Sequence, residues 1–180
     1  MKSYHIIITG ASQGLGKAMA LELAKRKENL LLISLPNSGQ EELAKFIQEN
    51  YPIDIHHIEM DLCHSDSLKE IRYYINANQL RIKYLINNAG VLSRGTFDSL
   101  TPEFIKKQIE VNVQVPTMLT HLLLEDLKQN SPSGILNVGS LAGYFPLIKK
   151  QVYCGTKAYI LSFSKALRKE LKPFGISVST

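Results

Sequence analysis

Short apolar runs, each followed by a glycine-rich or polar break and then a helical stretch, recur along the whole 180-residue chain. His5–Thr9 is a β-branched run ended by Gly10, and Asn29–Ser34 is a second, broken by Pro36-Asn37-Ser38-Gly39. Further strands are expected at 53–58, 84–87, 134–138 and 176–180. Runs this short with little polar alternation suit strands covered on both faces, as in a parallel sheet. Between them, Leu15, Met19 and Leu23 recur at helical spacing over 14–27, and helices are expected at 41–50, 65–76 and 151–171. The helix opening at Ser65 is expected to carry a hydroxyl or carboxylate cap. Thr101-Pro102-Glu103 supplies a capping residue and a first-turn proline for a long helix running to about 128, bent near Pro116. The order implies an α/β fold, a doubly wound parallel sheet of six strands with helices on both faces.

Composition narrows the classes further. With 44% hydrophobic and 21% charged residues the chain resembles ordinary globular proteins, and 1–180 reads as one domain. The net charge of +5 is scattered over short runs at 25–27, 106–107 and 149–150. It demands neither an anionic ligand nor a nucleic acid, and no basic strand studded with aromatics or groove-reading helix accompanies it. Cys63 and Cys154 have neither metal nor disulfide-framework spacing, which favours a reducing compartment. MKSYHIIITG is too short for a signal sequence and no apolar run approaches a membrane span, so a cytoplasmic location is expected. His56-His57 have no third ligand spaced nearby, and His5, His64 and His121 stand apart in the sequence, so no metal is assigned.

In doubly wound sheets ligands sit beyond the carboxyl ends of the strands. After the first strand, Gly10, Ser12, Gln13, Gly14, Leu15 and Gly16 form a G-x-x-x-G-x-G turn into a helix. Glycines let a chain turn sharply and let a pyrophosphate approach the backbone, while the following helix presents free N–H groups to the anion. A plain strand-to-helix turn is the bland alternative, but it rarely needs three glycines. After the third strand, Asp61 and Leu62 lie where an adenine would sit, although Asp61 could instead cap the next helix. After the fourth, Asn88, Ala89 and Gly90 either approach a ribose or simply turn.

Beyond the fifth strand stands Ser140, and Tyr153 and Lys157 are spaced to share a helix face. A Tyr-x-x-x-Lys pair is common by chance; its place, on the helix after the strand that ends at Ser140, gives it meaning. A phenol ordinarily holds its proton with a pKa of about 10, and a nearby cation eases that proton off. The pair could thus serve as an acid toward a carbonyl oxygen that Ser140 holds by a hydrogen bond. Leu141, Tyr144, Phe145 and Leu147 make the neighbourhood apolar, which suits a lipophilic carbonyl or else packing of the loop or of a dimer face.

Taken together, TGASQGLG at 9–16, Asp61, NNAG at 87–90, Asn112 in VNV, Ser140 and YCGTK at 153–157 resemble the short-chain dehydrogenase/reductase family over nearly the whole chain. The resemblance implies a Rossmann-like sheet with strands ordered 3-2-1-4-5-6 and hydride transfer between NAD(P)(H) and a ketone or secondary alcohol. By resemblance, Tyr153 is the acid/base, Ser140 orients the substrate oxygen, Lys157 binds the nicotinamide ribose and lowers the proton affinity of Tyr153, and Asn112 holds a water in a proton relay, its bland alternative being a polar residue that satisfies backbone at a helix irregularity. Family members have an acid after the second strand for NAD or an Arg for NADP. Ser34-Leu35-Pro36-Asn37 offers neither, and NADP is favoured because no carboxylate repels the phosphate, Ser34 or Asn37 can bond it and Lys17 adds positive charge. Members usually continue with a substrate-covering segment and a seventh strand beyond the residue matching Thr180, so a domain lacking its lid is expected. A catalytically inactive dinucleotide-binding or partner-binding domain is the alternative. The helices near 103–128 and 151–171 resemble the family's dimer-forming pair, which implies a homo-oligomer.

Overall fold

The first two strands, β1 (His5–Thr9) and β2 (Asn29–Ser34), are buried at every position, as unbroken apolar runs require. They lie side by side in the interior of a six-stranded sheet in a computed structural model that describes residues 4–93 and 95–180. Met1–Ser3, part of the stretch weighed above as a leader, lie outside the described residues. The other strands are β3 (Ile55–Glu59), β4 (Ile82–Asn87), β5 (Ser133–Asn137) and β6 (Ile176–Ser179). Their order is β3-β2-β1-β4-β5-β6 and every pairing is parallel. The helices α1 (Gly14–Lys25), α2 (Gln40–Asn50), α3 (Ser67–Ala77), α4 (Pro102–Ile109), α5 (Val115–Leu122), α6 (Leu124–Gln129) and α7 (Gln151–Leu171) connect them.

Alternation along β1 divides the core. Ile6 and Ile8 pack with Ala20 and Ala24 of α1 and with Leu43 and Ile47 of α2. Ile7 points the other way, into a cluster with Ile71 and Ile75 of α3, Leu119 of α5 and Leu127 of α6. Period-two side chains on a strand covered on both faces produce this two-layer core, each fully buried Ile or Leu contributing about 1.5–3 kcal/mol.

One local expectation is corrected and another is made specific. Helix α3 starts at Ser67 rather than Ser65, and the side chain at its capping position, Asp66, accepts no backbone N–H of the helix. The Asp66 carboxylate pairs with Lys69 instead, at 3.0 Å, while the Ser67 hydroxyl donates to the Leu62 carbonyl. The long helix expected from Pro102 is interrupted just before Pro116, by a π-turn over Glu110–Gln114. Pro116 has no N–H to return to the carbonyl four residues back, that of Asn112, so the ladder loosens in the turn before the proline. The widened turn carries Asn112, which is buried.

Candidate active site

A cleft of about 290 Å³ opens at the carboxyl ends of β1, β2, β3 and β4. Of the residues expected at a dinucleotide, Gly10, Ser12, Gln13, Asp61, Leu62, Asn88, Ala89 and Gly90 line it. Gly14, Leu15 and Gly16 form the first turn of α1 beside it. That helix end suits an anion: Gln13 makes no side-chain cap bond, and no acidic residue lies in the first turn to take up the free N–H groups. Gly14 has φ +54° and a Cβ built on it would meet nothing within 4 Å, so the turn is open where a ligand would approach. These features fit a bound pyrophosphate.

The cleft walls are locked by side chains reaching across the sheet. The Asn88 amide donates to the carbonyls of Thr9 (2.9 Å) and Gly10 (3.0 Å). In return, Thr9 Oγ1 accepts the N–H groups of Asn88 and Ala89 at 3.0 and 3.1 Å. Asn88 is thus a clamp between the turns after β1 and β4 as well as a cleft wall. Ser34, offered above as a phosphate ligand, is buried and its Oγ accepts the Ser12 N–H at 3.0 Å, which ties the glycine turn to the end of β2. Asp61 does not cap α3; its Oδ1 accepts the Cys63 N–H at 3.0 Å and its Oδ2 stands 3.7 Å from Lys107 Nζ.

The other half of the site lies where β5 ends. The Ser140 Oγ accepts the Ala142 N–H at 3.1 Å, capping a 3-10 turn over Leu141–Gly143 and leaving its own hydrogen free to donate. Gly143 lets this turn press on α7, since a Cβ there would come within 2.8 Å of the Lys157 carbonyl. Ser140 and Lys157 consequently face one cavity of about 190 Å³. Tyr153 and Lys157 lie one helical turn apart on α7, with Lys157 Nζ 5.8 Å from the Tyr153 ring centroid. Lys157 is buried, donates to the Val138 carbonyl at 2.7 Å, and is pushed below the usual lysine pKa by that burial. Leu141, Tyr144, Phe145 and Ile148 are not packed into the fold: Leu141 is 76% and Ile148 92% exposed.

Asn112 is committed on every side. Its Oδ1 accepts the Val91 N–H (2.8 Å), and its Nδ2 donates to the Val91 carbonyl (2.9 Å) and to Thr156 Oγ1 (3.1 Å). The π-turn aims this amide between the loop after β4 and α7, and so holds the two halves of the site together.

A family model described as short chain dehydrogenase matches residues 4–180. The chain belongs to the short-chain dehydrogenase family. It is 32% identical over 178 residues to the very-long-chain 3-oxoacyl-CoA reductase-A of Danio rerio, covering 97% of this chain and 55% of that protein. This chain thus spans about half the length of that relative. Among solved structures, the bulky-bulky ketone specific alcohol dehydrogenase of Comamonas testosteroni superposes with a TM-score of 0.90 at 31% identity, covering 98% of this chain and 71% of that one. A short-chain dehydrogenase from Sphingobium yanoikuyae, in complex with NADPH, does so with a TM-score of 0.90 at 30% identity, covering 98% and 69%. Among the described residues no helix is long and apolar enough to cross a membrane.

Within this short-chain dehydrogenase, several residues at the site have roles that the sequence did not assign. Thr9 is the node that joins the two turns, Thr156 anchors Asn112, and Gly143 seats Ser140 on α7. Lys107 and Val111, one helical turn apart, also line the dinucleotide cleft. Thr9, Thr156 and Val111 fall inside the motifs TGASQGLG, YCGTK and VNV, which marked their places but not their bonds, whereas Gly143 and Lys107 lie in none of them.

Proposed function

We propose that the chain exchanges a hydride between NADP(H) and a lipophilic ketone or secondary alcohol. The observation that carries this reading is the placement of Ser140, Tyr153 and Lys157 at the same sheet end as an open, uncapped dinucleotide cleft. Gly10–Gly16 and Asp61 would hold the dinucleotide, whose nicotinamide supplies or accepts the hydride. Ser140 then donates its free hydrogen to the substrate oxygen, and Tyr153 delivers the proton that turns this oxygen into a hydroxyl. Lys157, a cation beneath the Tyr153 ring, stabilises the phenolate left behind. The Asn112 side chain is occupied, so any water in a proton relay would rest on its backbone carbonyl, which Pro116 cannot reach with an N–H.

The exposed apolar stretch after Ser140 supports a bulky, apolar substrate. The relatives' names point the same way, one a reductase of very-long-chain 3-oxoacyl-CoA and another specific for bulky-bulky ketones. NADP(H) is supported by the absence of a carboxylate in Ser34–Asn37 and by the NADPH held in the Sphingobium relative. Titrating NADPH and NADH against the full chain, with cofactor fluorescence as readout, tests this. Saturable binding with NADPH the tighter is expected; NADH binding the tighter would reverse the assignment, and no binding of either would sink it.

One charge in this region works against a phosphate. Glu59, paired with Ser34 across β3 and β2, accepts the Asn37 N–H through Oε2 at 3.4 Å. Glu59→Gln is expected to tighten NADPH about three- to fivefold, the effect of about 1 kcal/mol between exposed charges, and to leave NADH nearly unchanged. Equal changes for the two cofactors would place Glu59 outside the reach of the phosphate.

A further inference from the structure

At the opposite end of the sheet, away from the cleft, three metal-competent side chains converge. His5 opens β1, Asp54 immediately precedes β3 and His56 is its second residue. The sequence separates them, and His5 was read above as standing apart; β2 lies between β1 and β3 and brings the three together. Asp54 is set in place by its backbone, whose N–H donates to Asn29 Oδ1 (3.0 Å) and whose carbonyl accepts the Leu30 N–H (3.0 Å). Its carboxylate then offers one oxygen to each ring: Oδ2 lies 3.0 Å from His5 Nε2 and Oδ1 lies 3.4 Å from His56 Nε2. One ligand atom from each residue falls within 4.8 Å of the others, the sole such group among the described residues.

We propose that His5, Asp54 and His56 form a binding site for a zinc-class divalent cation, with its fourth position open to water. Ligand atoms about 2.0–2.1 Å from a tetrahedral zinc stand about 3.3 Å apart, so each ring already lies at ligand spacing from one Asp54 oxygen, and the three residues must close in from a span of 4.8 Å to share one ion. Two imidazoles and a carboxylate form a donor set that zinc accepts. The half-exposed Asp54 side chain leaves a way in, whereas the His5 side chain is 6% exposed and holds the inner wall.

Ligation through Nε2 requires the proton on Nδ1, for which His56 has an acceptor at hand. Nδ1 of His56 lies 3.1 Å from the Tyr74 hydroxyl of α3, an acceptor of the kind that orients metal-bound histidines. Nδ1 of His5 is buried without a partner, so shifting the proton there gives up the Nε2 bond to Asp54 Oδ2, a cost that the bonds to the ion have to exceed. A bound ion would strap β1 to β3 across β2. The expected consequence is stability, because an ion that binds only the folded chain shifts unfolding by mass action.

The test is a calorimetric titration of Zn²⁺ into the tag-free, metal-stripped full chain, with thermal unfolding in parallel. One equivalent should bind with a Kd in the micromolar range or tighter, and Tm should rise by about 5 °C or more at a hundredfold excess over Kd. His56→Ala and Asp54→Asn, changes at more exposed positions that spare the buried His5, should each weaken binding at least tenfold and cut the Tm rise by about half or more. Cys63→Ser should change neither. Absence of saturable binding by the intact chain, an unchanged Kd in both site variants, or loss of binding in Cys63→Ser would overturn the assignment. The first result would leave the two imidazoles simply hydrogen-bonded to one carboxylate.

Discussion

Replacing Tyr153 by Phe is expected to lower turnover by about 10²–10⁴-fold, the usual contribution of a positioned general acid, while leaving NADPH affinity within about threefold. The substitution is clean in this fold. Among the described residues no hydrogen bond holds the Tyr153 hydroxyl, so its loss orphans no partner, and the ring that faces Lys157 is kept. Tm should therefore stay within about 2 °C, as for substitutions that break no buried contact. Turnover would be followed by loss of nicotinamide absorbance with a panel of apolar ketones and 3-oxoacyl thioesters. Activity in Tyr153→Phe matching the native chain would remove Tyr153 as the proton donor and with it the proposed mechanism. A fall in NADPH affinity as large as the fall in rate would instead make Tyr153 a cofactor-holding residue. The Ser140 hydroxyl accepts a backbone N–H and keeps its single hydrogen to offer, which suits the orienting role proposed for it.

What could be read from the sequence was what local physics dictates. β1 and β2 were legible because a strand buried on both faces must be apolar at consecutive positions, and α7 because its amphipathic repeat runs unbroken from Gln151 to Leu171. The glycine turn was legible because sharp turning and close approach exclude side chains at fixed positions. Pro116 also signalled a disturbance, but the missing N–H acts four residues upstream, so the distortion falls over Glu110–Gln114. The cap on α3 failed for a different reason: Asp66 has the right oxygen, and Lys69 pairs with it. Roles that depend on distant partners left no trace. Asn112 bonds residues 21 and 44 positions away, and nothing near it in sequence distinguishes a clasp from a water ligand. His5 and Asp54, 49 positions apart, meet only because of the strand order.

Gly16→Ala and Gly14→Ala should have opposite signatures, although the two glycines share one helical turn. A Cβ on Gly16 would stand 2.1 Å from the Gly10 carbonyl oxygen and 2.6 Å from Asn88 Nδ2. Neither obstacle is the loose end of a side chain: the first is backbone, and the second is the amide that already bonds Thr9 and Gly10. Accommodating the methyl means parting α1 from the β1 turn and breaking the Asn88 clamp, at a cost of about 3 kcal/mol or more. Tm should fall by about 6–12 °C, and NADPH binding should be lost with the displaced turn. On Gly14 the same methyl meets nothing within 4 Å, and only the positive φ of +54° is strained, by about 1–2 kcal/mol. Its Tm should fall by only a few degrees. Its NADPH affinity should nevertheless drop tenfold or more, because the open space before α1 is where the pyrophosphate must approach the free N–H groups. Scanning calorimetry and NADPH titration on both variants separate a glycine that the fold needs from one that the ligand needs. Unchanged affinity in Gly14→Ala would move the pyrophosphate away from this turn, and unchanged Tm in Gly16→Ala would mean that α1 is free to shift relative to β1.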